Sequence, residues 1–138
     1  MQAVQMTLDS EDLQGQGEQI LVVDDEPAMT DFLGEFLEDY GYKVSRVNSA
    51  EEALQLLEKS VKISVVATDI KMPKMDGIQL AARLREKYPH LPIIGISGKV
   101  NVSKFREQHQ EKFLTIIQKP FLYQEVLEAI HRAIGLQS

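Results

Sequence analysis

Five short apolar runs, each followed by a stretch with helical periodicity, leave this chain few folds to choose from. The runs fall at about 19–24, 43–47, 63–68, 92–97 and 114–117, and between them apolar residues recur at the three- and four-residue spacing of a helix face. Strands alternating with helices imply a parallel sheet covered on both faces and joined by right-handed crossovers. The first and third runs, Ile20-Leu21-Val22-Val23 and Val65-Val66-Ala67-Thr68, lack polar alternation, as strands buried on both faces do.

The helical stretches carry their own boundary signals. Pro27 suits the opening of the first and Gly41 its end, with Phe32, Leu33, Phe36, Leu37 and Tyr40 on the inward face. Ser49, with Glu52 three residues on, predicts a capping box for the second, whose inward face holds Ala53, Leu54, Leu56 and Leu57. Pro73, Asp76 and Gly77 read as a turn and helix start. The third helix then runs to about Lys87 on Ile78, Leu80, Ala81 and Leu84, and Pro89 breaks it. A more polar fourth helix over about 103–111 has a thin stripe of Val102, Phe105 and Phe113, and is expected to be the least firmly packed. The last helix, over about 123–134, uses Val126, Leu127, Ile130, Ala133 and Ile134.

At 138 residues and 43% hydrophobic content the chain suits one domain, expected over 19–135. Residues 1–18 hold Asp9, Glu11, Asp12 and Glu18 without Lys or Arg, in a Gln-rich setting with little hydrophobic pattern, and read as a disordered acidic tail; residues 136–138 are a short C-terminal end. No run of about 18 apolar residues and no signal-peptide pattern occurs, so a soluble cytoplasmic protein is expected. The absence of cysteine excludes disulfides and thiol chemistry. A net charge of -6 argues against nucleic-acid binding by the domain surface.

In the flavodoxin-like strand order 2-1-3-4-5, the first and third strands are neighbours, and their carboxyl ends carry Asp24, Asp25 and Asp69. Two carboxylates ~4 Å apart at an effective dielectric of ~20 repel by about 4 kcal/mol, so three cannot stay ionised without compensation. Either one is protonated or a cation sits among them. For an all-oxygen cluster with open positions the natural cation is Mg2+. Lys119, at the end of the fifth run, would place an ammonium on the same rim, able to neutralise a phosphoryl group that the acids alone would repel.

The motifs, in chain order, are Val-Val-Asp24-Asp25-Glu26, then Asp69-Ile-Lys71-Met72-Pro73-Lys74-Met75-Asp76-Gly77, then Ile-Ser97-Gly98, then Lys119-Pro120-Phe121. With them the chain resembles the receiver domain of two-component response regulators over roughly 19–135, the group that includes the chemotaxis receivers. The resemblance implies that Asp69 is the phosphoacceptor, taking a phosphoryl group from a histidine kinase or phosphotransfer protein. It implies Mg2+ held by Asp24, Asp25, Asp69 and the backbone carbonyl of Lys71. It also implies that Lys119 pairs with one phosphoryl oxygen and Ser97 donates to another. Signalling would run through the surface of the fourth helix, fifth strand and fifth helix, to a protein target the sequence does not identify, from a monomer or weak dimer. The protein would be no enzyme beyond its own phosphorylation and dephosphorylation. Lys71 and Lys99 occupy positions that in the family face the phosphoryl group and help set its lifetime; the duller reading points both to solvent.

Two departures stand out. Ile116 occupies the position, three before Lys119, where the family usually has Tyr or Phe, so no aromatic ring can swing behind the hydroxyl. The stretch from Glu107 to Phe113 replaces the small residues common there.

Each residue also has a structural explanation: Asp24-Asp25 as a helix cap, Asp69 as a turn residue, Ser97 as a loop cap, Lys119 as a surface lysine. Glu26 reads as a first-turn helix acid near the metal position. His90, His109 and His131 share no pattern that assigns them a role. A phosphohydrolase with an aspartyl nucleophile would want a second carboxylate where Lys71 stands, and a phosphate-binding P-loop fails at Gly98-Lys99. The remaining competitor is a receiver-like interaction module that works without phosphorylation.

Overall fold

The computed structural model describes residues 13–59, 62–98 and 102–136. Five strands and five helices alternate strictly: β1 (Gln19–Val23), α1 (Pro27–Asp39), β2 (Lys43–Val47), α2 (Ala50–Glu58), β3 (Val65–Asp69), α3 (Gly77–Lys87), β4 (Ile93–Ser97), α4 (Val102–His109), β5 (Thr115–Gln118) and α5 (Tyr123–Gly135). All strand pairs are parallel, in the order β2-β1-β3-β4-β5. This is the expected flavodoxin-like sandwich. Among the described residues no helix is long and apolar enough to cross a membrane.

The sheet separates two cores. On one face α1 and α5 bury Leu33, Phe36, Leu37, Val126 and Ile130 against β1 and β3. On the other, α2, α3 and α4 bury Ala53, Leu57, Leu80, Leu84 and Phe105. Val65 to Asp69 are all buried, which accounts for the unbroken apolar run. Phe105 and Phe113 pack ring against ring at a centroid distance of 5.8 Å, closing the core under the polar α4.

The local chemistry explains most boundaries. Helix α1 ends in a Schellman motif, with the Tyr42 N–H donating to the Leu37 carbonyl and the Gly41 N–H to the Glu38 carbonyl, and Gly41 takes φ +93° as that motif requires. At α2, Ser49 Oγ accepts from the Glu52 N–H at 3.1 Å, but the Glu52 carboxylate reaches past Ser49 to the Asn48 N–H at 2.7 Å. Half of the expected box is therefore shifted by one residue. A complete capping box opens α3 between Asp76 and Gln79.

Three expectations need correction. Phe32 does not face inward: it is 41% exposed, because its ring packs sideways on Phe36 and Tyr123. Strand β3 starts at Val65, while Ile63 packs on the core from the preceding loop. The acidic tail is not disordered over 13–18, where the chain forms a strap under the α1–β2 corner. Leu13 is 1% exposed, the Tyr42 hydroxyl donates to the Leu13 carbonyl at 3.3 Å, and the N–H groups of Gly15 and Gly17 donate to the carbonyls of Tyr40 and Gly41. One apolar side chain and three hydrogen bonds hold this strap, which hydrophobic periodicity does not reveal. The rest of the tail lies outside the described residues, as do residues 137 and 138.

Candidate functional site

Pairing β1 with β3 in the register Val23↔Thr68 puts Asp24 and Asp69 side by side at the carboxyl edge of the sheet. Carboxylate oxygens of Asp24, Asp25 and Asp69 all lie within 4.8 Å of one another. Lys119 Nζ completes the cluster, 3.7 Å from Asp24 Oδ2 and 3.7 Å from Asp69 Oδ1. The four charges converge as the sequence predicts.

The acids sit in different environments. Asp24 is 2% exposed and Asp69 8%, whereas Asp25 opens to solvent. Burial pushes the Asp24 carboxyl up to about 6; the Glu26 N–H opposes this, Asp69 adds to it, Lys119 opposes and Asp25 adds. Asp69 is also raised, first by burial, against the pull of Lys119 and of the Ile70 and Lys71 N–H groups. One ammonium thus serves three carboxylates, two of them pressed toward their protonated forms. A hard cation suits this donor set: all ligand atoms are oxygens, their charge is undercompensated, and the open side at Asp25 leaves positions for water or phosphate oxygens.

Neighbouring groups fix the rim. Asp24 Oδ1 accepts from the Glu26 N–H at 3.0 Å at the mouth of α1, whose N-cap residue makes no side-chain cap of its own. The capping role considered for this pair is therefore present at Asp24, alongside the cluster. Asn48 Nδ2 donates to the Asp24 carbonyl at 2.9 Å and to Thr30 Oγ1 at 3.3 Å, tying the β1 end to α1. Sequence reasoning missed Asn48 and Thr30. Their signal was available only through topology, since Val23↔Val47 pairing places Asn48 beside Asp24.

Ser97 ends β4, is fully buried, and its hydroxyl has no hydrogen-bond partner among the described residues. The Lys119 N–H donates to the Ser97 carbonyl at 2.7 Å, so the ends of β4 and β5 move as a unit. The bond from Lys119 to Pro120 is cis. Lys71 is exposed, and its backbone N–H contributes to the field on Asp69. Lys99 lies outside the described residues. Ile116 is 5% exposed, and together with Ile70 and Phe113 it fills the space over Gly95. Lys74 takes φ +64°, a left-handed position in the β3–α3 loop that its residue type did not signal.

A parallel sheet with this acidic crevice at its carboxyl edge defines a class of protein, and comparison with known sequences points to the same class. The profile of the response regulator receiver domain family matches residues 20–131, and the chain belongs to that family. It is 32% identical over 115 residues to the response regulator receiver protein CpdR of Brucella abortus, covering 83% of this chain and 95% of that protein. It is 33% identical over 117 residues to the response regulator protein FleR of Pseudomonas aeruginosa, covering 84% of this chain but 24% of FleR, so it spans about a quarter of that relative. The sensor histidine kinase RcsC of Escherichia coli is 39% identical over 79 residues, 57% of this chain and 8% of the kinase. A response regulator receiver domain protein from Clostridium thermocellum superposes with a TM-score of 0.81 at 30% identity, covering 87% of this chain and 96% of that one.

Proposed function

We propose that the domain accepts a phosphoryl group on Asp69 from a phosphohistidine carried by a histidine kinase or phosphotransfer protein in the cytoplasm, and passes the signal on by protein contact. The observation that carries this reading is the position of Lys119, equidistant from Asp24 and Asp69 at the open end of the sheet. A structural ion pair would need one acid beside one lysine. A phosphoryl acceptor needs a nucleophilic carboxylate, a cation for the oxygens it takes on, and acids able to hold a metal.

In the proposed reaction an oxygen of Asp69 forms a bond to phosphorus as the phosphorus–nitrogen bond breaks. The electron pair stays on the imidazole nitrogen, which then takes a proton. Lys119 leaves its contact with Asp69 to pair with a phosphoryl oxygen. The Ser97 hydroxyl, without a partner beforehand, donates to a second oxygen. Asp24, Asp25, Asp69 and the Lys71 carbonyl would hold Mg2+. When bound, the ion supplies charge neutralisation for the phosphoryl oxygens. Lys71, exposed at the rim, would tune how long the phosphoryl group persists. Apart from making and breaking this one bond, the domain is proposed to have no catalytic role.

Incubation with acetyl phosphate and Mg2+ tests the reading. Intact mass spectrometry should find the addition of one phosphoryl group, absent in Asp69→Asn and in the presence of a chelator. An unmodified wild-type chain would favour a receiver-like module that binds partners without phosphorylation, which the missing aromatic at Ile116 also suits.

A further inference from the structure

We propose that the cleft across the outer edge of β5 is a docking site for an acidic segment of a partner protein, anchored by Arg106 and Arg132. The proposal rests on the phosphoacceptor reading only for its coupling to phosphorylation.

β5 is the edge strand of the sheet, with α4 on one face and α5 on the other. Two adjoining hollows of about 420 and 410 Å3 lie along this edge, and both are lined by Arg106, Thr115, Ile116 and Arg132. Together they form one cleft with two guanidinium groups at its centre. At one end His109 packs on Phe105 at 4.7 Å, and its buried Nδ1 has no hydrogen-bond partner among the described residues.

The charges here are unbalanced in a way unusual for this chain, whose net charge is -6. Neither Arg106 nor Arg132 forms an ion pair among the described residues. The two acids of the cleft are engaged elsewhere: the Glu125 carboxylate accepts from the Leu122 N–H at 2.8 Å, and Glu128 accepts from Gln124 Nε2 at 3.2 Å. Arg106 is held in place by donating to the Ile116 carbonyl at 3.2 Å, which leaves its other donors pointing onward in a fixed fork. Preorganised, uncompensated guanidinium groups in a concave setting fit carboxylates that arrive on a partner. A nucleic-acid occupant fits poorly, because the rest of the surface is acidic and would repel a phosphate backbone.

The anchor also links the cleft to the acceptor site. Arg106 belongs to α4 and its carbonyl partner to β5, whose end carries Lys119. A shift of α4 relative to β5 would re-aim Arg106, so phosphorylation is expected to change the affinity of the cleft.

Fluorescence anisotropy with a short fluorescein-labelled poly-glutamate peptide, at about 0.15 M salt, tests the proposal on the full chain. Saturable binding weakened at least ~10-fold by Arg132→Glu, with circular dichroism unchanged, would support it. Arg132 is the informative position because its side chain makes no contact on which the fold depends, and Arg106→Lys then asks whether the fork rather than the charge matters. Equal binding by Arg132→Glu, or equal competition by inorganic phosphate or a single-stranded oligonucleotide, would overturn it. Repeating the titration with a beryllofluoride adduct at Asp69 separates the two readings. Peptide binding that ignores the adduct upholds the cleft and counts against its link to phosphorylation.

Discussion

Gly77 lies directly against the carbonyl oxygen of Asp69, so close that a Cβ at Gly77 would overlap that oxygen and stand 2.9 Å from the Cα of Ile70. The Gly77 N–H also donates to the Ile70 carbonyl at 2.8 Å, closing the β3–α3 loop back onto the end of β3. The start of α3 and the acceptor position are therefore packed backbone to backbone.

Gly77→Ala should push the β3–α3 loop away from Asp69 and lower stability by about 1–3 kcal/mol. Urea unfolding would measure the loss. Phosphorylation by acetyl phosphate should slow along with it, because the displaced backbone is the one that aims the acceptor carboxylate.

Asp24 sets the response of the ion-free protein to pH. Its folded carboxyl titrates near 6 against 3.8 for an unperturbed group, so between those values the folded chain holds more protons than the unfolded one. Stability should then fall as pH rises from about 4 to about 6 and stay lower above that. Asp24→Asn should remove this slope and stabilise the ion-free protein at neutral pH by on the order of 2 kcal/mol. Denaturant midpoints across the window check it, and a variant no more stable than wild type at neutral pH would sink the account.

Mg2+ should raise the thermal midpoint of the wild-type protein in proportion to the logarithm of its concentration above Kd. Asp24→Asn and Asp25→Asn should flatten that dependence, while Asp76→Asn, at an α3 cap away from the cluster, should keep it. Differential scanning calorimetry over a Mg2+ series distinguishes these outcomes.

Ser97 separates function from folding. Its buried hydroxyl has no partner among the described residues, so Ser97→Ala should change stability by less than about 0.5 kcal/mol. Phosphorylation should nevertheless slow by about 10-fold or more, the worth of one hydrogen bond to a charged oxygen. A large loss of stability with unchanged phosphorylation would reverse the assignment.

Much of the architecture was legible because each signal was local. Val65 to Thr68 is buried on both faces and so reads as apolar without interruption, and the Asp76 cap announces α3 through its own side chain. The candidate site was legible for a topological reason: in a parallel sheet every strand end with a charge opens on the same edge, so Asp24, Asp69 and Lys119 could be brought together from strand order alone. What escaped depends on tertiary partners. Phe32 has helix-face spacing yet turns outward to join Tyr123, which is distant in sequence. Leu13 sits in a polar segment and is buried only because Tyr42 and the α1–β2 corner provide a roof. Asn48 gains its role from lying next to β1 rather than from any motif.

Asp25 is the one carboxylate of the three that meets bulk water, while Asp24 and Asp69 lie behind it. A metal ion and a phosphodonor would therefore share a single doorway, and whichever arrives first narrows the passage for the other. Order of addition, rather than affinity alone, should govern how quickly this domain charges and discharges.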